Sequence, residues 1–107
     1  MIVHIVEKRI WEQAQRAGEY RAASLASEGF IHTSRPDQVL QVANRFYRGT
    51  PDLLLLWIDL QLLQAPVRYE TSDGEIYPHI YGPLNLESVV RVCQLAPDAD
   101  GVYRILN

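Results

Sequence analysis

Apolar residues recur along this chain with two periods, and the switches between them mark out its elements. Ile2 to Val6 is rich in β-branched residues and broken only by His4, which predicts a strand carrying an imidazole in need of a partner. From Glu7 to Ala17 the spacing lengthens. Ile10, Trp11, Ala14 and Ala17 fall three and four apart, charged residues cover the other side, and Gly18 is a natural helix stop. Tyr20 to Ser27 is poor in large apolar side chains and predicts an extended or irregular connection, with a short strand around Tyr20. Glu28-Gly29 then turns into a strand from Phe30 to Thr33.

Ser34-Arg35-Pro36-Asp37 reads as a helix start. A serine hydroxyl can cap, proline is tolerated in a first turn, and aspartate suits the positive dipole end. Val39, Val42, Ala43 and Phe46 then form one face of a helix that ends at Gly49. Leu53 to Leu60, LLLLWIDL, predicts a central strand buried on both faces, with Asp59 ending it and capping a turn. Val67 to Thr71 alternates as a strand does, Ser72-Asp73-Gly74 supplies hairpin chemistry, and Glu75 to Tyr81 returns. Pro78 assigns that returning strand to an edge or a bulge. Asn85 heads a single turn through Glu87, Val89 to Leu95 is a strand with Arg91 facing water, and Pro97 to Gly101 is a turn. Val102 to Leu106 is expected as a final strand closing the sheet. The fold class is therefore α+β: one compact domain over residues 1–107, with a mostly antiparallel sheet of six or seven strands and two main helices in the first half.

Composition narrows the setting. A chain of 107 residues that is 48% hydrophobic can fill a core without disulfide or metal staples. The net charge of -3 and pI near 5.5 give no global pull toward nucleic acid or an anionic membrane. Arg45, Arg48, Arg68, Arg91 and Arg104 are scattered rather than clustered. Cys93 is the single cysteine, which excludes an intrachain disulfide and a cysteine-rich zinc site. Within its apolar run it reads as a small buried hydrophobe. Met1 to Val6 is too short and too soon followed by charge to read as a signal peptide, and no apolar run reaches membrane-spanning length. A reducing, cytoplasmic setting is expected.

All three histidines, His4, His32 and His79, fall in predicted strands, with Thr33, Ser34, Tyr69, Glu70, Tyr77 and Tyr81 nearby. A lone strand histidine is more often structural than catalytic. Three of them beside hydroxyls and aromatics make a cleft able to hold a ribose hydroxyl or phosphate, or to move a proton.

The pieces around them resemble a family. His4-Ile5, Trp11, EGFIHTS at Glu28 to Ser34, VANRFY at Val42 to Tyr47, LLLLWID and PHIYGPLN at Pro78 to Asn85 are similar to domain-of-unknown-function family 952, a name that carries no activity. More remotely, the chain resembles ADP-ribosyltransferase-type folds, with their strongly bent sheet, and within them the tRNA 2′-phosphotransferase branch. That resemblance implies NAD as cofactor, clamped by polar residues from three strands. His4 matches the first position, which holds a ribose, and His32 within GFIHTS matches the second, near the nicotinamide. The third position is a glutamate in the pattern; here Glu70 and His79 both remain candidates. The implied catalytic residues are His32, His79 and Glu70, and the implied cofactor-binding residues are His4, His32, Thr33, Ser34 and Tyr81. A small nucleotide partner is expected, a protein or RNA substrate is compatible with it, and neither a metal nor a membrane is expected.

Three rivals stand beside this reading. Two-histidine phosphoesterases use paired H-x-S/T motifs as general acid and base. His32-Thr33-Ser34 matches one, but His79-Ile80-Tyr81 and His4-Ile5-Val6 lack the hydroxyl. A metal site from the histidines with Glu70 or Asp59 lacks any HxH or HExxH spacing. A non-catalytic interaction module would keep the histidines for structure alone.

Overall fold

The computed structural model describes residues 1–104. Three antiparallel sheets replace the single bent sheet expected from the sequence. In the first, β1 (Ile2–Glu7) pairs with β4 (Leu53–Ile58), which pairs on its other side with β8 (Val89–Leu95). In the second, β3 (Ile31–His32), β6 (Glu75–Ile80) and β5 (Val67–Ser72) lie in the order β3-β6-β5. The third joins only β2 (Glu19–Tyr20) to β7 (Leu84–Asn85). A single bridge links the first two sheets: Val3 and Ser34 exchange backbone hydrogen bonds of 2.9 Å each. The pairing goes no further along the chain, and two residues later Pro36 has no amide hydrogen to offer.

The first sheet carries core on both faces. Ile2 and Val6 point into a cluster with Trp11, Tyr20, Leu56 and Ile80, while Val3 and Ile5 meet Val39, Ala43, Leu53, Leu55 and Tyr103. This alternation along β1 and β4 is why both read as near-continuous apolar runs. Asp59 ends β4 as expected, its carboxylate accepting from the Gln61 amide at 2.9 Å.

Helix α1 (Lys8–Ala17) ends at Gly18 in the left-handed conformation. The stretch expected to be irregular contains a short helix, α2 (Ala23–Ser27), with no buried residue. One turn of alanine and serine is too brief to show an apolar period. Helix α3 (Val39–Phe46) starts later than the sequence suggests. Ser34 is held in the bridge to Val3, and the Gln38 side chain instead accepts from the Arg35 amide at 3.0 Å.

Pro78 lies in β6, the middle strand of its sheet, not at an edge. It is tolerated there because β3 pairs only as far as His32 opposite His79, one residue short of the proline. Beyond that point the buried Thr33 hydroxyl donates to the Pro78 carbonyl at 2.5 Å. Asn85 heads a 3-10 turn, Leu86–Ser88, without a side-chain cap; its carboxamide oxygen accepts from the Gln64 amide instead.

The expected last strand is also corrected. Val102 to Arg104 pair with no strand, and Ile105 and Leu106 lie outside the described residues. Tyr103 is nevertheless buried, because the Asn44 carboxamide imitates a strand partner. It donates to the Tyr103 carbonyl at 2.8 Å and accepts from the Tyr103 amide at 2.7 Å. Among the described residues, no helix is long and apolar enough to cross a membrane.

Candidate functional site

His32 on β3 and His79 on β6 stand directly opposite each other in the ladder. Their ring centroids are 5.5 Å apart and their planes nearly perpendicular. Each imidazole has a carboxylate. His79 Nδ1 donates to Glu70 Oε1 at 2.8 Å, and His32 Nε2 donates to Glu28 Oε2 at 2.9 Å. Ionised carboxylates only accept, so neutral His79 carries its proton on Nδ1 and neutral His32 on Nε2. His79 Nε2 and His32 Nδ1 bond to no described residue.

The two imidazoles differ in setting. The His79 side chain is 7% exposed and that of His32 is 56% exposed, so the first is sheltered and the second meets solvent. Phe30 fixes both rings: it stacks on His79 at 4.1 Å and meets the edge of His32 at 4.9 Å. Glu70 also accepts from the Tyr81 hydroxyl at 2.5 Å. The Tyr81 hydrogen bond, with that of His79 second, holds the Glu70 carboxyl below its usual range, and the same contact raises the Tyr81 phenol. The Arg68 guanidinium lies 4.5 Å over the Tyr81 ring.

His4 is placed differently. Nδ1 must donate to the His32 carbonyl oxygen, at 2.5 Å, so Nε2 accepts from the Tyr20 hydroxyl at 2.8 Å. Burial lowers its pKa to about 4 and keeps it neutral. Because His4, Tyr20 and His32 belong to different sheets, this one ring ties all three together. Both of its nitrogens are thereby used within the protein, leaving none for a ligand.

A cleft of about 520 Å3 opens where the first two sheets diverge. His4, His32, Thr33, Ser34 and His79 line one part of it. Val42, Phe46 and Tyr47 of α3 and Ser72, Asp73 and Tyr77 of the β5–β6 hairpin line the rest. No lysine or arginine is among the lining residues, so cationic character in the lining can come only from the imidazoles. The Ser34 hydroxyl bonds to no described residue, whereas that of Thr33 is committed to Pro78.

Of the residues singled out in the sequence, His4, His32, Thr33, Ser34, Tyr77 and His79 therefore share one cleft. Glu70 and Tyr81 do not line it; they reach it through His79. Sequence reasoning missed Glu28, Phe30 and Phe46 as parts of the site. The four-residue spacing of Glu28 and His32 was a visible signal, obscured because that segment reads as a turn into a strand. Among the described residues, no group of three or more histidine, cysteine or acidic side chains is placed to hold a metal ion.

Comparison with known proteins agrees with this architecture. The crystal structure of protein CC0527 from Caulobacter crescentus superposes with a TM-score of 0.87 at 33% identity, covering 96% of this chain and 92% of that one. The solution NMR structure of CC0527 gives 0.83 at 33% identity, covering 96% and 90%. No curated protein matches this chain. Residues 5–92 match the family described as "Protein of unknown function (DUF952)", and the chain belongs to that family.

Proposed function

We propose that the cleft binds a nucleotide, NAD or an ADP-ribosyl group, and that His32 and His79 act on its ribose or phosphate as an acid–base pair. The observation that carries this reading is the 5.5 Å apposition of two imidazoles, each held by a carboxylate. His79 takes a proton on its bare Nε2, and Glu70 at Nδ1 stabilises the imidazolium that results. His32, on the solvent side, serves as the acid in its doubly protonated form, giving the Nδ1 proton to the leaving oxygen and returning to the Nε2–H tautomer held by Glu28. His79 thus fills the third position of the ADP-ribosyltransferase-like pattern, with Glu70 as its positioning residue. His4 serves the second position from behind, by holding the His32 backbone.

Transfer through an oxocarbenium-like ribose benefits from a carboxylate beside the reacting carbon. Asp73 is the only carboxylate among the lining residues, and it lies at the hairpin tip, 3.6 Å from Arg45. The arrangement thus favours chemistry on a phosphorylated or ADP-ribosylated ribose over ADP-ribosyl transfer from NAD. Calorimetric titration with NAD and ADP-ribose tests the reading. Heat with ADP-ribose that His32→Ala and His79→Ala each abolish is the expected result. No heat with either ligand, and no change on either substitution, overturns it.

The same pair favours one second reading, a two-histidine phosphoesterase, although only His32 has the H-x-S/T context. Hydrolysis of 2′,3′-cyclic nucleotides, lost when either histidine is replaced, would select it. A protein partner with no small-molecule binding would select the interaction-module reading.

A further inference from the structure

Helix α3 buries its apolar face except at its last residue. Val39 and Ala43 are 1% and 0% exposed, whereas Phe46 is 62% exposed. An exposed phenylalanine is ordinary by itself. Phe46, however, lines the same cleft as the histidine pair, and its ring has the Arg45 guanidinium 5.0 Å from its centroid. Arg45 in turn lies 3.6 Å from Asp73. This contact brings the hairpin tip against the C-terminal end of α3 and bounds the cleft there.

A second aromatic shares that end. Tyr77 lines the cleft two residues before His79 on β6, so the two side chains leave the strand on the same face, about 7 Å apart along it. That separation is comparable with the step from a nucleobase to its own sugar and phosphate. From the α3 end inward, the cleft thus offers the Phe46 and Tyr77 rings and then two imidazoles with bare nitrogens, with the Arg45 guanidinium beside Phe46 just outside the lining. Aromatic faces with an adjacent arginine hold planar bases by stacking.

We propose that Phe46 and Tyr77 seat a purine base, so that the ligand is a purine nucleotide whose ribose and phosphate lie at His32 and His79. The fused purine ring presents the larger face to the two aromatics. This inference rests on the reading of the cleft as a nucleotide site, and it adds which part of the ligand goes where.

Calorimetry on the full chain with AMP, ADP-ribose and ribose 5-phosphate tests it. In the wild type AMP and ADP-ribose bind about tenfold or more tightly than ribose 5-phosphate. Phe46→Leu, at an exposed site that does not threaten folding, collapses that preference toward unity. AMP matching ADP-ribose identifies a mononucleotide as sufficient; a clear advantage for ADP-ribose identifies the dinucleotide-like ligand. Either supports the base seat. Wild-type preference retained in Phe46→Leu overturns it. So does equal binding of AMP and ribose 5-phosphate, even where His79→Ala weakens both and leaves the histidine reading standing. Failure of all three ligands to bind the wild type overturns both proposals together.

Discussion

His32 and His79 face each other across paired strands at 5.5 Å, and each donates to a carboxylate of its own. Two bare imidazole nitrogens are the consequence, one on a sheltered ring and one on a solvent-facing ring. The chemistry of the site depends on these tautomers, and each follows from a hydrogen bond that only one partner can donate.

Replacing Glu70 tests the His79 tautomer. Glu70 Oε1 accepts from both His79 Nδ1 and the Tyr81 hydroxyl, so Glu70→Ala removes the acceptor that keeps the proton on Nδ1. The imidazole proton then shifts toward Nε2. Nitrogen-15 NMR of the histidine ring is expected to show this exchange, and catalysis, once assayed, is expected to fall by about a hundredfold. An unchanged tautomer would rule out the positioning role given to Glu70.

Acid should destabilise the fold through His4. Its pKa falls from the ordinary 6.5 to about 4 in the folded chain because it is buried. The unfolded chain therefore binds a proton in this window that the folded chain refuses. The contribution is complete above pH 6.5 and is lost as pH falls through the window toward 4, by about 3 kcal/mol at most. Urea unfolding midpoints across that range should drop with acid in the wild type. A His4→Gln variant should show a much flatter curve; equal slopes would contradict the assignment.

Thr33→Val deletes the hydroxyl that donates to the Pro78 carbonyl. Shape is nearly conserved, so the cost is that of the lost hydrogen bond in a buried place, about 1–2 kcal/mol. Chemical denaturation measures it, and a change within error of zero would show that the carbonyl is served some other way.

Gly82→Ala should be destabilising for a local reason. A Cβ there would lie 2.9 Å from the Ala65 Cβ. The expected cost is about 1–3 kcal/mol. Adding Ala65→Gly should recover part of it, and a double-mutant cycle without coupling would place the strain elsewhere.

The legible parts of the fold were those written in local patterns. The LLLLWI run marked a strand buried on both faces, and Asp73-Gly74 marked a two-residue turn, with both residues at positive φ. What escaped was set by tertiary pairing. The sheet divides because β1 meets Ser34 at a single bridge, and Tyr103 is buried by the carboxamide of Asn44, nearly sixty residues earlier. At the site, the histidines and the Thr33-Ser34 pair were visible as residue types. Glu70 was visible too, but as a rival to His79 rather than its partner, because it reaches His79 only through the hairpin register that places Glu70 opposite Tyr77; Glu28 was not singled out.

The most direct test of the central claim, that two imidazoles serve one ligand, is a histidine-selective nitrogen–proton NMR titration with ADP-ribose. The ring signals of His32 and His79 are expected to move together with one midpoint, while those of His4, closed off by Tyr20 and the His32 carbonyl, stay still. Movement of one ring alone, or of neither, would contradict it.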